Sequence, residues 1–77
     1  MVDAAQIKEH AEIVGSDGGH VGTVDHMDGT DTIKLTRKDP AAGGEHHHVP
    51  LAWVSGVEDG KVRLDRSAAD ARASWSA

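Results

Sequence analysis

The chain has 77 residues, 8 basic and 13 acidic, with six histidines and no cysteine. That length suits one domain, residues 1–77, and excludes disulfides; a structural metal or self-association is left to reinforce a core that hides only about 60% of the unfolded chain's surface. The net charge of −5 repels phosphate backbones and argues against a nucleic-acid partner. No apolar run approaches the ~20 residues of a membrane helix, and the first residues lack a secretion signal's basic-then-apolar pattern. A soluble, cytoplasmic protein with no membrane partner is expected, and the absence of cysteine fits a reducing compartment.

Taken in chain order, Asp3 followed by Gln6 resembles a capping box for one helical turn carrying Ile7. Glu12-Ile13-Val14 reads as a first short strand. Ser16-Asp17-Gly18-Gly19 then makes a turn, because aspartate bonds its own backbone and glycine accepts positive φ. Val21 and Val24 are three apart, which breaks strict alternation, and Gly22 between them signals a bulge or a close backbone approach. After the Asp28-Gly29 turn, Ile33 and Leu35 alternate with Thr32, Lys34 and Thr36, giving a strand with one apolar face.

Asp39-Pro40-Ala41-Ala42-Gly43-Gly44 is a longer break. Beyond it, Val49, Leu51 and Trp53 form a third apolar strand face, with Pro50 placing that strand at an edge, a bulge or a bend. Asp59-Gly60 joins Val57 to the alternating Lys61-Val62-Arg63-Leu64-Asp65 as a hairpin. Ser67 caps a short C-terminal helix on which Ala71 and Trp75 share a face. The expected fold is all-β, a small antiparallel barrel of about five strands with short helical turns at both ends. Its core comprises Ile13, Val14, Val21, Val24, Ile33, Leu35, Val49, Leu51, Trp53, Val54, Val57, Val62 and Leu64.

The histidines carry the chemistry. On a strand, His46 and His48 point to one side and His47 to the other. An i, i+2 pair can chelate a divalent ion such as zinc, with His20 and His26 as the foremost further ligands and His10, Asp25 or Glu45 able to complete a shell. The bland alternative gives one histidine a backbone or carboxylate partner and leaves the rest in water. Catalysis lacks a nucleophile: there is no cysteine, and Ser16, Ser55 and Ser67 lie in turns or caps without an elbow pattern. Asp25 and Asp28 flank a turn, where solvated aspartates are routine. Lys34, Arg37 and Lys38 form a local basic stretch that reads as a solvated face, and only Trp53 and Trp75 could stack on bases.

The run Ile13-Val14-Gly15-Ser16-Asp17-Gly18 followed by His20-Val21-Gly22-Thr23-Val24-Asp25 resembles the opening hairpin of PRC-barrel domains, named for the photosynthetic reaction centre H subunit. The block Gly44-Glu45-His46-His47-His48-Val49-Pro50-Leu51-Ala52-Trp53-Val54 resembles a family of short uncharacterised bacterial proteins related to those barrels. Its signature is Gly-x-His-His-x-Val/Ile-Pro-Leu-x-Trp-Val. The third position after glycine-x in that triplet is often aromatic in the family, and here it is His48. The likeness runs from about Ile7 to Leu64 and implies a compact β-barrel used as an interaction module, with no catalytic residues to carry over.

The leading expectation is therefore a non-catalytic module that self-associates or docks on a protein partner, with Trp53, Pro50 and His47 as interaction residues and no resident cofactor. The alternative is a metal-binding or pH-responsive domain built on His46, His48, His20 and His26.

Overall fold

The computed structural model describes residues 6–39, 44 and 46–75. The capping box at Asp3, most of the break at 40–43 and the candidate ligand Glu45 lie outside them. Six strands follow one another: β1 (Glu12–Val14), β2 (His20–Met27), β3 (Thr32–Leu35), β4 (His48–Pro50), β5 (Val54–Glu58) and β6 (Lys61–Leu64), then α1 (Ala68–Ser74). They make one sheet in the order β4-β3-β2-β1-β6-β5.

Two expectations are corrected. The sheet is mixed, because β1 runs parallel to β6 while its other neighbours pair antiparallel. A parallel pair needs a long crossover, and everything from β2 to β5 supplies it. The sheet is also open: β4 and β5 lie at its two ends rather than closing an antiparallel barrel.

The sixth strand arises at Pro50. Proline has no N–H to continue the ladder, and its φ of −64° suits the residue ahead of a helical turn. Leu51–Trp53 therefore form a single 3-10 turn, fastened by the Leu51 N–H to the Asp31 carbonyl at 2.7 Å, and Val54 starts a new strand. Leu51 is buried and Trp53 half-buried, so the Val49-Leu51-Trp53 face is not one strand. This short turn carries the chain from one edge of the sheet to the other, which requires the sheet to curl.

Turn chemistry decides the rest. Asp59 (φ 52°) and Gly60 (φ 74°) both adopt the left-handed region, as the tightest hairpin turn demands, and set Glu58 opposite Lys61. In β2 the register slips twice, so Val21 faces β1 without a partner of its own and Asp25 does the same against β3. The first slip lets Val21 and Val24 both be fully buried. The apolar cluster runs from Ile7 and Ala11 through Ile13, Val24, Ile33, Leu35, Val49, Val62 and Leu64 to Ala68 and Ala71. Val57 and Trp53, both expected in the core, pack against it while half-buried.

Helix α1 docks on the β1–β2 turn. Ser67 Oγ accepts from the Asp70 N–H at 3.2 Å, and Asp17 Oδ1 accepts from the Gly19 and Ala68 N–H groups at 3.1 and 3.3 Å. Those backbone bonds hold the Asp17 carboxyl below its ordinary range, the Gly19 bond foremost. A Cβ on Gly15 would come within 2.3 Å of the Ala68 nitrogen, so only glycine lets the helix seat so closely. The prediction is direct. Gly15→Ala should lower stability by about 1–3 kcal/mol in urea unfolding and expose Trp75 to solvent in its fluorescence. Gly56→Ala, with nothing within 4 Å of the added carbon, should change stability far less.

Candidate functional site

Register brings three polar side chains into one row: Glu12 on β1 lies opposite Thr23 on β2 and Lys61 on β6. His20, at the start of β2, completes the group. Its Nδ1 is 2.8 Å from Glu12 Oε2, and its Nε2 is 2.8 Å from Asp39 Oδ2. The Thr23 hydroxyl donates to the same Asp39 oxygen at 2.6 Å, and Lys61 Nζ lies 3.6 Å from Glu12 Oε1. The Asp39 side chain is only 3% exposed, whereas that of His20 is 40% exposed.

A neutral imidazole has one N–H and one lone pair. Two carboxylates at hydrogen-bond distance on opposite ring nitrogens both need a donor, so the geometry is that of an imidazolium. The bond to Glu12 is the largest influence raising the His20 pKa above its ordinary 6.5, with Asp39 adding to it against partial burial. The same bond holds Glu12 below its ordinary 4.5. With both nitrogens committed, His20 has no lone pair left to act as a general base.

The other histidines are dispersed. His26 Nδ1 is 3.4 Å from Asp25 Oδ2, and His46 Nδ1 is 4.0 Å from the same oxygen. His46 Nδ1 also donates to the Leu35 carbonyl at 3.0 Å, which fixes that ring. His48 Nε2 is 3.6 Å from Asp28 Oδ2. His47 is buried and stacks on Trp75, with ring centroids 4.1 Å apart and planes 11° from parallel. Alternation thus turns His47 inward toward the helix end and leaves His46 and His48 partly exposed. Trp53 lies beneath the Arg66 guanidinium, 3.9 Å from its ring centre, and Pro50 is exposed at the end of β4.

Among the described residues, no three of His, Asp and Glu are gathered to hold a metal ion. Of the residues expected as ligands, His26 and His46 share Asp25, His48 approaches Asp28, and His20 lies between Glu12 and Asp39. Two of the three serines weighed as nucleophiles are in structural use: Ser67 caps α1, and Ser55 Oγ donates to the Arg63 carbonyl at 3.2 Å. Glu12, Thr23 and Asp39 are the candidate-site residues that the sequence does not single out. No local pattern marks them, because Glu12 and Asp39 reach His20 from 8 and 19 positions away, the first by strand pairing and the second through the 36–39 turn.

Asp39 also forms part of the wall of a cleft of about 510 Å³, lined by His10, Thr23, Asp25, Thr36, Arg37, Lys38 and His46. His10 sits there at φ 67°, a left-handed backbone that few non-glycine residues adopt, with its N–H donating to the Val24 carbonyl at 2.9 Å.

A small, mostly β domain of one curled mixed sheet and one short helix is thus defined, with a histidine-bridged pair of carboxylates beside a polar cleft. The chain belongs to a family of uncharacterised proteins conserved in bacteria, the domain of unknown function DUF2171, whose model matches residues 7–72. No curated protein and no solved structure matches it. Among the described residues, no helix is long and apolar enough to cross a membrane.

The bridge fixes the direction of pH dependence. His20, with its pKa raised on folding, contributes stability that is full below pH 6.5 and fades as the pH rises through the raised value. Glu12, with its pKa lowered, contributes fully above pH 4.5 and fades as the pH falls through the lowered value. The melting-temperature gap between the native chain and His20→Gln should therefore be widest between pH 4.5 and 6.5 and shrink by about pH 8. A gap that grows toward alkaline pH would contradict the assignment.

Proposed function

We propose that the chain is a non-catalytic interaction module that recruits a protein strand, from a second copy of itself or from a partner, along the edge of β5. One observation carries this reading. Among the described residues β5 is hydrogen-bonded to β6 alone, and it has five residues with no proline. The opposite edge, β4, has three residues and ends in Pro50, which removes a ladder donor. Open strand edges are the usual docking line for an added strand. Gly56, midway along β5, leaves the space beside it empty. The committed nitrogens of His20 and the structural use of Ser55 and Ser67 support a role without catalysis.

Kinship with the PRC barrels belongs to the same reading. Its support is the 3-10 turn at Leu51–Trp53, which links the two edge strands directly and bends the sheet toward a barrel. The absence of cysteine favours a cytoplasmic setting.

Light scattering over a dilution series, with and without a native-cell extract fraction, tests the edge. Gly56→Lys adds a charge at its centre, where an added Cβ meets nothing within 4 Å, and should weaken self-association or partner binding by about tenfold or more. Association that Gly56→Lys leaves unchanged would rule out β5.

A second reading, a pH-responsive domain, rests on the imidazolium between Glu12 and Asp39. Sedimentation velocity at about pH 6 and about pH 8 should then show a change in association for the native chain that His20→Gln abolishes. Equal behaviour of both chains at both pH values would reject it.

A further inference from the structure

We propose that the cleft bounded by His10, Asp25 and the 36–39 turn is a binding site for the oxyanion group of a small molecule, a phosphate or a carboxylate. This goes beyond strand docking and uses a different part of the surface.

The cleft's volume of about 510 Å³ falls in the range of small-molecule sites. Of its two carboxylates, Asp39 is matched by His20 Nε2 and the Thr23 hydroxyl, whereas Asp25 has only two histidine nitrogens nearby, His26 at 3.4 Å and His46 at 4.0 Å, the latter donating to the Leu35 carbonyl. Its two permanent cations have no match. Arg37 and Lys38 are exposed and make no ion pair among the described residues, although Lys61, Arg63 and Arg66 each have a carboxylate partner. On a chain of net charge −5, two adjacent unmatched cations lining a cleft are the groups an anion would meet.

The backbone also organises them. The Lys38 N–H donates to Thr36 Oγ1 at 3.2 Å, closing the turn that carries both cations and leaving the Thr36 hydroxyl proton for a ligand. Across the cleft, His10, on its left-handed backbone, belongs to the same lining. An arginine fork, a lysine point charge and a hydroxyl suit an oxyanion better than an apolar or cationic ligand.

The test is an amide NMR titration of the full chain at constant ionic strength, with inorganic phosphate in one arm, citrate in a second and chloride as control. Saturable shifts at His10, Thr23 and the 36–39 turn are expected in at least one oxyanion arm, with a Kd below about 5 mM. Saturation by phosphate alone assigns a phosphate group, and saturation by citrate alone a carboxylate. The double variant Arg37→Gln, Lys38→Gln, on an exposed turn whose folding the same spectra report, should weaken binding about tenfold or more. No saturation in either oxyanion arm, shifts confined to other residues, or unchanged binding by the double variant would each overturn the proposal. Since Gly56 lies outside this lining, loss of strand docking in Gly56→Lys and loss of anion binding here are separable results.

Discussion

His20 holds a carboxylate at each ring nitrogen, and much of the candidate site depends on the proton that this requires. Three separate parts of the chain meet there: β1 through Glu12, β2 through His20 and Thr23, and the 36–39 turn through Asp39. A carboxylate as enclosed as Asp39 is tolerated only when charged or polar donors face it. The imidazolium and the Thr23 hydroxyl are two such donors. Removing the positive charge would leave a lone pair against a carboxylate and weaken the fastening of the turn that carries Arg37 and Lys38. The cleft is therefore shaped by a charge outside its own lining.

A second constraint works at the other end of the β1–β2 hairpin. The turn Gly15 to Gly19 is at once the reversal between two strands and the seat of α1. Asp17 stabilises its own turn and meets the helix N–H of Ala68, while the missing side chains of Gly15 and Gly19 leave room for the Ala68 backbone and Cβ. The helix then carries Trp75 to His47, so the histidine triplet is linked to the chain's C-terminal end through a stacked pair. One short turn thus connects the sheet's first hairpin, the helix and the histidine segment.

Local chemistry was legible in the residues. The Asp59-Gly60 hairpin, the Ser67 cap, the bulge implied by Val21, Gly22 and Val24, and the inward face of Ile33 and Leu35 all follow from propensities within a few positions. What could not be read was pairing at a distance. The parallel contact of β1 with β6 spans most of the chain and has no local signature. Pro50 implies an edge or a bend, yet whether it ends a strand outright depends on the 3-10 turn that follows. The histidine triplet is a cluster in sequence, whereas the candidate site forms around the solitary His20. Its partners, Glu12 and Asp39, look in isolation like an exposed strand residue and a turn former. Clustering in sequence favours detection; convergence in space decides chemistry.

The claim that an imidazolium joins Glu12 and Asp39 is tested most directly by the ring nitrogen-15 shifts of His20, followed through a pH titration. Both nitrogens should be protonated at about pH 6, and the midpoint should lie above the ordinary 6.5 and fall in Asp39→Asn and in Glu12→Gln. A single neutral tautomer at that pH, or a midpoint at or below 6.5 that neither substitution moves, would contradict the account.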